Sequence, residues 1–455
     1  MSGKIDELII FRNSQNIEAR GTLLKFSKNQ IVFETYNPFS IVQLSEILCN
    51  LKITRSNKNI YSGKAVVNNL INTGLLLIVS VTLVDDWLED LGFDRFGDLS
   101  EEANKFVYGW SDSFSKIPDS YQLSVSKMRN FLSDANQWFK QIPQVNEIDC
   151  EGVIEKVKCP FIEKLSEFLL LVEDEARKIE SSDVIGCKKL LQRELHPFLM
   201  RSPFVHRVFI KPLGYAGDYE MVNMMLRNPY EGEGLYAKLV NSFFLGAGPA
   251  EAHRNRIDIL LERMTEVCKK IKNPKIFCFA CGPAIEIQRF IKESVLSDNC
   301  EITLLDFSSD TLEYTSNILE KLKLEYNRTV KINYINKSAN DVLRDAVKGN
   351  NNDFDGKFDF IYCAGLFDYL SDKICMKLLK LFYQNLSDDG LLLATNVHSD
   401  NPIKRIMEHI MEWYLIYRDN IGFENLLGKR IVNKKVYTDD TGLNVFLEAR
   451  RDKDE

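Results

Sequence analysis

The sequence has no long hydrophobic segment and no excess of positive charge. Its longest apolar run, residues 74–84, is shorter than the roughly 20 residues that cross a bilayer as a helix. We therefore expect no stable membrane insertion and interpret this run as a buried strand. The formal net charge is −7, from 58 Lys and Arg against 65 Asp and Glu. Proteins that bind nucleic acid without sequence preference usually carry a basic surplus, so we expect no nucleic-acid partner.

The cysteines follow no regular pattern. There are ten, and Cys49 and Cys363 are among those that lie inside apolar runs. This distribution indicates buried, reduced thiols and a cytoplasmic protein rather than a disulfide framework. Cys278 and Cys281 have CxxC spacing, but no second Cys or His pair accompanies them, so we expect no metal. The start, MSGKIDELIIF, lacks the features of a signal peptide.

Residues 1–85 combine short β-rich runs with clusters of Asn, Ser, Lys and Gly, a pattern typical of a small barrel or sandwich. Apolar residues at helical spacing predict a connecting helix over 120–142, within a connector that covers 86–155. The same spacing predicts further helices between 156 and 205, in a helical cap at 156–247. Strands of the barrel are expected at 21–26, 30–35, 41–44, 51–54, 64–67 and 74–84.

From about residue 248 onward the pattern changes to alternating strands and helices, which implies parallel strands with right-handed crossovers. Two last runs, 430–437 and 444–450, flank a DDTG turn and predict an antiparallel hairpin. The predicted fold class for 248–455 is therefore α/β, with a doubly wound, mostly parallel, Rossmann-like sheet and a terminal hairpin. The parallel strands are expected at 275–280, 301–306, 330–335, 357–363 and 389–396.

The first of these strands runs into a turn, Ala280-Cys281-Gly282-Pro283-Ala284. A glycine-centred turn between a strand and a helix lets a ligand approach the backbone closely. Pro283 suits the first turn of the following helix. The usual pattern for such turns has three glycines, and Ala280 and Ala284 occupy the outer two positions. Alanine is the smallest departure from glycine, so close approach of a ligand is still expected.

The second strand ends in Asp306, a little over twenty residues after Gly282. An acidic residue at this place accepts hydrogen bonds from the hydroxyls of a ribose. Phe307, the next residue, is a further candidate cofactor contact. Together the turn and the acid predict a nucleoside cofactor, without separating NAD from other nucleosides. The alternative is that Asp306 only caps the helix that begins near Ser308.

The third and fourth strands also end in candidate cofactor contacts. Ser338 and Ala339 follow the third strand and could contact an adenine base, or could serve only as a helix cap. Ala364 and Gly365 keep the carboxyl end of the fourth strand open, which is where ligands sit in open α/β sheets. Arg254, near the start of this domain, is a candidate for a cofactor carboxylate.

Four uncommon motifs occur in order between about residues 190 and 450. They are KPLGYAGDYEMVN at 211–223, FACGPA at 279–284, AGLFDYL at 364–370 and MEWYLIYR at 411–418. These residues resemble a bacterial group of class I methyltransferases, often labelled as extracellular-factor, 3-hydroxypalmitic acid methyl ester biosynthesis proteins. The resemblance implies S-adenosylmethionine as cofactor and a fatty-acid-like carboxylate as acceptor, and ACGPA is the group's own form of the turn. His398 departs from the group, which more often has an aromatic or small residue there.

The N-terminal barrel resembles a PilZ-type domain, a module that often binds cyclic di-GMP. That binding needs an RxxxR segment and a [D/N]xSxxG strand. Arg12 and Arg20 are too far apart for the first, and the second does not occur in the barrel. Because the arginine fork that would grip guanine and phosphate is missing, we expect a degenerate barrel that does not bind cyclic di-GMP.

The loop at 211–218, here called the lid loop, is expected to close over the reacting methyl group and exclude water. Our candidate catalytic residues are Tyr215 and Asp218 in this loop, and His398 as a general base. The alternatives are that Asp218 only caps the helix at 219–226 and that His398 is structural. For some of the aromatic and cationic residues that could bind the acceptor, packing in the core is the alternative. The candidate acceptor-binding residues are Tyr219, Phe367, Tyr369, Tyr414, Tyr417 and Arg418.

Three functional hypotheses follow. The first is in-line methyl transfer to a small-molecule acceptor, catalysed mainly by orientation and desolvation. A homodimer is possible under this hypothesis. The second is a methyltransferase acting on an amine or a protein, with the barrel recruiting the target. The third is a nucleotide-responsive signalling protein whose cofactor domain is not catalytic.

Overall fold

The structure is a computed structural model that describes residues 7–26, 30–36, 42–55, 58–72, 76–88, 117–142, 147–180, 183–349, 357–428 and 431–452. Parts of some predicted segments lie outside these residues. The parts are the first six residues of the barrel, residues 89–116 of the connector, the starts of the strands predicted at 41 and 74, and the start of the hairpin predicted at 430.

The N-terminal strands form a closed antiparallel barrel in the order β1-β2-β3-β6-β5-β4. Alternate residues point inward, and the rings of Phe11 and Phe33 lie 5.3 Å apart in its core. Strand β1 was not predicted from the sequence, and the strand predicted at 41–44 is wrong, since residues 42–44 lead through a turn into β4. The strands are β1 Glu7–Arg12, β2 Glu18–Phe26, β3 Gln30–Tyr36, β4 Ile47–Arg55, β5 Lys58–Asn72 and β6 Leu76–Leu83.

In the described residues between 117 and 247, six helices follow and share one hydrophobic core. Tyr121, Leu165 and Leu191, from three of these helices, are fully buried in it. The helix predicted as a connector, α1, therefore packs with the cap helices rather than standing apart from them. The helices are α1 Asp119–Gln141, α2 Glu147–Arg177, α3 Val184–Leu199, α4 Pro203–Ile210, α5 Tyr219–Leu226 and α6 Gly234–Gly246.

The C-terminal domain contains a seven-stranded sheet in the order β12-β13-β11-β10-β7-β8-β9. Strands β7 to β11 are parallel, and β13 is antiparallel to both β11 and β12. This is the strand order of a class I methyltransferase sheet, so the predicted fold class is confirmed. The strands are β7 Lys275–Phe279, β8 Glu301–Asp306, β9 Lys331–Asn336, β10 Phe358–Cys363, β11 Leu386–Val397, β12 Lys434–Thr438 and β13 Asn444–Arg450.

Helices cover both faces of this sheet, as expected for a doubly wound fold. The chain order moves outward from β7 through β8 to β9 and then crosses back to β10, so the sheet has a topological switch point between β7 and β10. Crevices at such points are the usual ligand sites of open α/β sheets. The helices are α7 Gly248–Lys270, α8 Ile285–Glu293, α9 Ser309–Glu325, α10 Ala339–Val347, α11 Asp372–Gln384, α12 Lys404–Ile410 and α13 Asn420–Glu424.

The predicted strand positions agree with the sheet to within one residue for β7 to β10. Strand β11 begins at Leu386, three residues earlier than expected, because its first residues pair with the start of β10 before the register shifts. Among the residues described, no helix is both long enough and apolar enough to cross a membrane.

Candidate cofactor and acceptor cleft

A cleft opens at the carboxyl ends of β7, β8 and β10 and extends under the lid loop. It holds about 1270 Å³ of empty space, counting its open mouth. Of the residues named individually from the sequence, those that line it are Tyr215, Tyr219, Cys278, Ala280, Cys281, Gly282, Pro283, Ala284, Asp306, Phe307, Ala364, Gly365 and Tyr369.

The turn after β7 is held in an unusual backbone conformation. Ala280, Gly282 and Ala284 have φ angles of 59°, 52° and 49°, in the left-handed region that favours glycine. A Cβ placed on Gly282 would meet no atom within 4 Å, so the space beside this glycine is open to a ligand. Pro283 precedes α8 rather than opening it, since the helix begins at Ile285. The alanines thus keep the backbone path of a three-glycine turn at some cost in strain.

Asp306 lies beside this turn and is 5% exposed. One carboxylate oxygen accepts a hydrogen bond from the Gly282 amide at 3.0 Å, and the other accepts from the Ser308 amide at 3.0 Å. Ser308, not Asp306, is the N-cap of α9, because its hydroxyl accepts from the Thr311 amide. Burial raises the pKa of Asp306 to about 6. A carboxylate oxygen can accept two hydrogen bonds, so each retains acceptor capacity for a ligand.

Tyr215 and Tyr219 form the lid-loop side of the cleft. The Tyr215 ring lies 5.2 Å from the Phe307 ring, and burial, followed by the nearby charge of Asp306, raises the pKa of its phenol. This hydroxyl therefore stays protonated at neutral pH and can act only as a hydrogen-bonding group. Tyr219 stacks on Tyr314 with ring centroids 4.4 Å apart.

Asp368 and Tyr369, which follow β10, and Trp413 form another part of the cleft wall, next to the lid loop. The Trp413 indole donates a hydrogen bond to the Tyr369 hydroxyl at 2.9 Å. A Cβ on Gly217 would lie 2.7 Å from that hydroxyl, so the lid loop requires glycine here. Asp368 accepts from the Val397 amide at 2.7 Å through one oxygen, and burial raises its pKa to about 6. It is a carboxylate whose pKa is close to neutral, in the wall of the cleft.

Arg256 on α7 is a cation in the cleft wall that was not predicted from the sequence. Its guanidinium lies over Gly365, where a Cβ would be 2.9 Å away, and contacts His253 at 2.6 Å. Burial lowers the pKa of Arg256, and the charges of Asp368 and Glu286 oppose that shift. The helical spacing of His253 and Arg256 at i and i+3, facing the strand ends, was the signal that could have found them.

Arg254, the residue chosen from the sequence, is engaged elsewhere. Its guanidinium donates to the Met225 and Leu245 carbonyls at 3.1 and 2.9 Å and pairs with Glu251. It therefore ties α7 to α5 and α6 and does not line the cleft.

Two of the three candidate catalytic residues do not line the cleft either. Asp218 is the N-cap of α5: it accepts from the Met221 amide at 2.8 Å, and both its oxygens bind the Arg207 guanidinium. His398 accepts a hydrogen bond from the Asp400 amide through Nδ1 at 3.2 Å. The structural alternatives stated for these two residues match this geometry, whereas Tyr215 is in the cleft.

The candidate adenine contacts have the geometry of a helix cap. The Ser338 hydroxyl accepts from the Asp341 amide, and the Asp341 carboxylate accepts from the Ser338 amide, which forms a capping box at the start of α10. Ala339 is 8% exposed and packs in the core of the sheet. Neither residue is among those that line the cleft.

The remaining acceptor candidates lie behind the cleft wall. Phe367 is fully buried in the core of the sheet. Arg418 donates to the carbonyls of Phe367 and Leu370 at 2.8 and 2.6 Å and so supports the segment after β10. Tyr414 bonds Lys188 through its hydroxyl at 3.1 Å, and the Tyr417 ring lies 4.3 Å from the Lys404 ammonium. These side chains pack and position the wall, while Trp413, next to Tyr414, faces the cleft.

Cys278 and Cys281 of the CxxC segment lie in β7 and the turn after it. Burial raises the pKa of both thiols, which disfavours the thiolate that metal binding and redox chemistry need. In the part of the chain that the structure describes, no three His, Cys, Asp or Glu side chains are grouped as metal ligands.

Comparison with known proteins gives matches to solved structures only. No family model matches the chain, and no curated protein matches it. One match is magnesium protoporphyrin IX methyltransferase from Synechocystis PCC 6803 with bound S-adenosylmethionine, at 9% identity and a TM-score of 0.33, covering 50% of this chain and 89% of that one. The N-methyltransferase NodS from Bradyrhizobium japonicum WM9 with S-adenosyl-L-homocysteine matches at 12% identity and a TM-score of 0.32, covering 51% and 97%. The methyltransferase domain of bacterial CtHen1 matches at 16% identity and a TM-score of 0.32, covering 44% and 99%.

Proposed function

We propose that the protein is an S-adenosylmethionine-dependent methyltransferase that methylates a small molecule bound in the cleft. The observation that carries this proposal is the pairing of Asp306 with the Gly282 turn at the switch point of the sheet. The turn leaves open space beside the backbone, and the buried carboxylate holds that backbone through the Gly282 amide. This combination suits a nucleoside whose ribose lies against the turn.

The residues of the cleft fit the polar groups of the cofactor. Asp306 would accept hydrogen bonds from the ribose hydroxyls with the acceptor capacity that Gly282 and Ser308 leave. Arg256, rather than Arg254, would hold the methionine carboxylate, because it is the arginine in the cleft wall. Gly365 leaves room for that guanidinium. When bound, S-adenosylmethionine supplies an electrophilic methyl group on its sulfonium.

We place the acceptor against the apolar side chains of the cleft lining. Such walls exclude water from the transfer, and orientation by the walls then supplies most of the rate. This lining suits a largely apolar acceptor, and the resemblance to the methyl-ester group proposes a fatty-acid-like carboxylate. These apolar lining residues include Met221, Val222, Met225, Val397, Met407, Trp413 and Leu415.

Asp368 favours a second candidate, an amine acceptor. A carboxylate acceptor is already ionised and needs no base, whereas an amine must lose a proton during transfer. The pKa of Asp368, raised to about 6 by burial, suits a general base at neutral pH. In this candidate Asp368 takes the role that the sequence analysis gave to His398.

The barrel and the division of the chain belong to the same proposal. We infer a degenerate PilZ-like barrel at 1–85, a connector that begins at 86, a helical cap with the lid loop up to 247 and the methyltransferase domain at 248–455. The boundary expected at 155 falls inside α2, and α1 packs with the cap helices, so we count α1 and all of α2 with the cap.

Calorimetric titration tests cofactor binding. The wild-type protein should bind S-adenosylmethionine at one site, and Asp306→Ala should lose most of that affinity. Asp310→Ala is the matched control, because Asp310 lies exposed in the first turn of α9 and outside the cleft. Equal affinity in wild type and Asp306→Ala would show that Asp306 does not hold the ribose.

Transfer of labelled methyl groups identifies the acceptor class. The protein is incubated with methyl-labelled cofactor and cell extract, and lipid and protein fractions are separated. Label in lipid that is released by mild base indicates a methyl ester, while base-stable label indicates methylation of an amine. Binding of the cofactor without transfer to any fraction would favour a non-catalytic role and contradict the proposal.

A further inference from the structure

Among the described residues, the barrel reaches the cleft lining through the short segment 42–47, which runs into β4. We call it the barrel segment. Its Gln43 is part of the cleft lining, together with residues of the lid loop and of the chain at 407–415. The N-terminal barrel therefore contributes a residue to a cleft whose other lining residues lie in the chain from 215 onward.

Ser45 joins the barrel segment to the chain at 411–418, which carries Trp413. Its hydroxyl donates to the Tyr414 carbonyl at 2.9 Å and also accepts from the Tyr414 amide. Ser45 is fully buried and has a φ of 60°, in the region that favours glycine or asparagine. A strained serine persists where the surrounding structure holds it, and here its hydroxyl makes both contacts with Tyr414.

Ile47 joins the barrel segment to the lid loop. Its amide donates to the Gly214 carbonyl at 2.6 Å. Gly214 has a φ of 87°, and a Cβ placed on it would lie 3.3 Å from the Cβ of Ser14 in the turn after β1. The lid loop is thus packed closely on the barrel immediately before Tyr215.

Glu46 holds the barrel segment in place. It is 2% exposed, and its carboxylate accepts hydrogen bonds from the Ser14 backbone amide and hydroxyl at 2.6 Å and from the Gln43 backbone amide at 2.7 Å. The Ser45 amide also donates to the Val67 carbonyl of β5 at 2.9 Å. These bonds connect Gln43 to the body of the barrel, so its position in the cleft is defined by the barrel fold.

We propose that the barrel segment is a wall of the acceptor site. Gln43 is a specificity-determining contact for the acceptor, and Ser45 and Ile47 position the two cleft segments, 411–418 and 211–218. A side-chain amide can both donate and accept hydrogen bonds, so the Gln43 side chain suits a polar group on an otherwise apolar acceptor. The role of Gln43 rests on the proposed methyltransferase function, whereas the positioning by Ser45 and Ile47 does not.

Hydrogen exchange on the full-length protein tests the positioning. Ser45→Gly removes the hydroxyl while glycine adopts the same backbone conformation without strain. Amides at 411–418 should then exchange at least about tenfold faster, because both hydrogen bonds between the Ser45 hydroxyl and the Tyr414 backbone are lost. Thr54→Ala, which removes a hydroxyl bonded to Leu8 within the barrel, should leave 411–418 unchanged. Unchanged exchange at 411–418 in Ser45→Gly would overturn the positioning role, and exchange in β1 to β6 shows whether the barrel remains folded.

Steady-state kinetics tests the proposed contact between Gln43 and the acceptor. Gln43→Ala should raise the KM for the acceptor fraction found in the transfer assay at least fivefold, with kcat changed less and the affinity for S-adenosylmethionine within twofold. Gln137→Ala, an exposed amide deletion on α1, is the control. An unchanged KM would overturn the contact with the acceptor. If wild type fails to bind S-adenosylmethionine, the proposed function is wrong, and the exchange experiment still decides whether the barrel positions the two segments.

Discussion

Replacing Asp306 with asparagine should stabilise the unliganded protein and weaken cofactor binding. Burial raises the pKa of Asp306 from 3.8 to about 6. Because the folded protein holds this proton more tightly than the unfolded chain, folding loses stability as the pH rises from 3.8 through 6. At pH 7.5 the loss is about 3 kcal/mol, since one pKa unit corresponds to roughly 1.4 kcal/mol. Asparagine is neutral and avoids this cost.

Asparagine also loses one of the two hydrogen-bond acceptors. The carboxylate accepts from two amides, Gly282 and Ser308, through different oxygens, and asparagine has one oxygen. Leaving one partly buried amide without its acceptor costs about 1–2 kcal/mol. The net gain at pH 7.5 is therefore about 1–2 kcal/mol. At pH 5 about half of the ionisation cost remains, so the gain should vanish.

Thermal unfolding and calorimetry measure both effects. We expect the melting temperature of unliganded Asp306→Asn to rise by about 2–4 °C at pH 7.5 and to equal or fall below that of wild type at pH 5. Affinity for S-adenosylmethionine should fall at least about 100-fold, because hydrogen bonds to a charged acceptor are worth about 1.5–3 kcal/mol each. Asp310→Asn should change neither quantity. Lower stability at pH 7.5 together with unchanged affinity would refute the assignment of Asp306 as a strained ligand site.

Three further predictions concern other residues of the cleft. Ala280→Gly and Ala284→Gly should each raise the melting temperature, because a left-handed alanine costs about 1 kcal/mol relative to glycine, and lower melting temperatures in both would contradict the strain. Arg256→Gln should weaken binding of S-adenosylmethionine at least about tenfold, as expected for a lost hydrogen bond to a charged group, but not of adenosine, which has no carboxylate. Arg254→Gln should change neither affinity, and equal losses in the two variants would refute the assignment. For an amine acceptor, the methyl-transfer rate should rise with pH through about 6 and level off above it, because Asp368 becomes a base as it ionises, and Asp368→Asn should abolish that rise.

The fold of the C-terminal domain could be predicted because its signals are local. Strands of this sheet are short apolar runs between helices, and their periodicity places them within one residue at β7 to β10. The Gly282 turn and Asp306 were identified for the same reason, since each follows directly from the end of a strand. In contrast, β1 was missed because its six residues lie beside the chain start and show only a short apolar run.

The acceptor wall was harder to predict because it depends on contacts between distant parts of the chain. Tyr414 and Arg418 were chosen for their chemistry, but packing turns them away from the cleft and leaves Trp413 in its wall. Arg256 and Arg254 are two residues apart on one helix, and only the packing of that helix on the sheet distinguishes them. The contact of Ser45 with Tyr414 spans 369 residues of sequence, a separation at which no local pattern is informative.

A crystal structure of the protein with S-adenosylhomocysteine tests the central claim most directly. The account predicts that the ribose hydroxyls lie within hydrogen-bonding distance of the Asp306 carboxylate, against the Gly282 turn. It also predicts that the Arg256 guanidinium contacts the homocysteine carboxylate, and that the sulfur faces the wall formed by Tyr369 and Trp413. Crystals grown with saturating S-adenosylhomocysteine that show no ligand in this cleft, or show it bound elsewhere, would contradict the account.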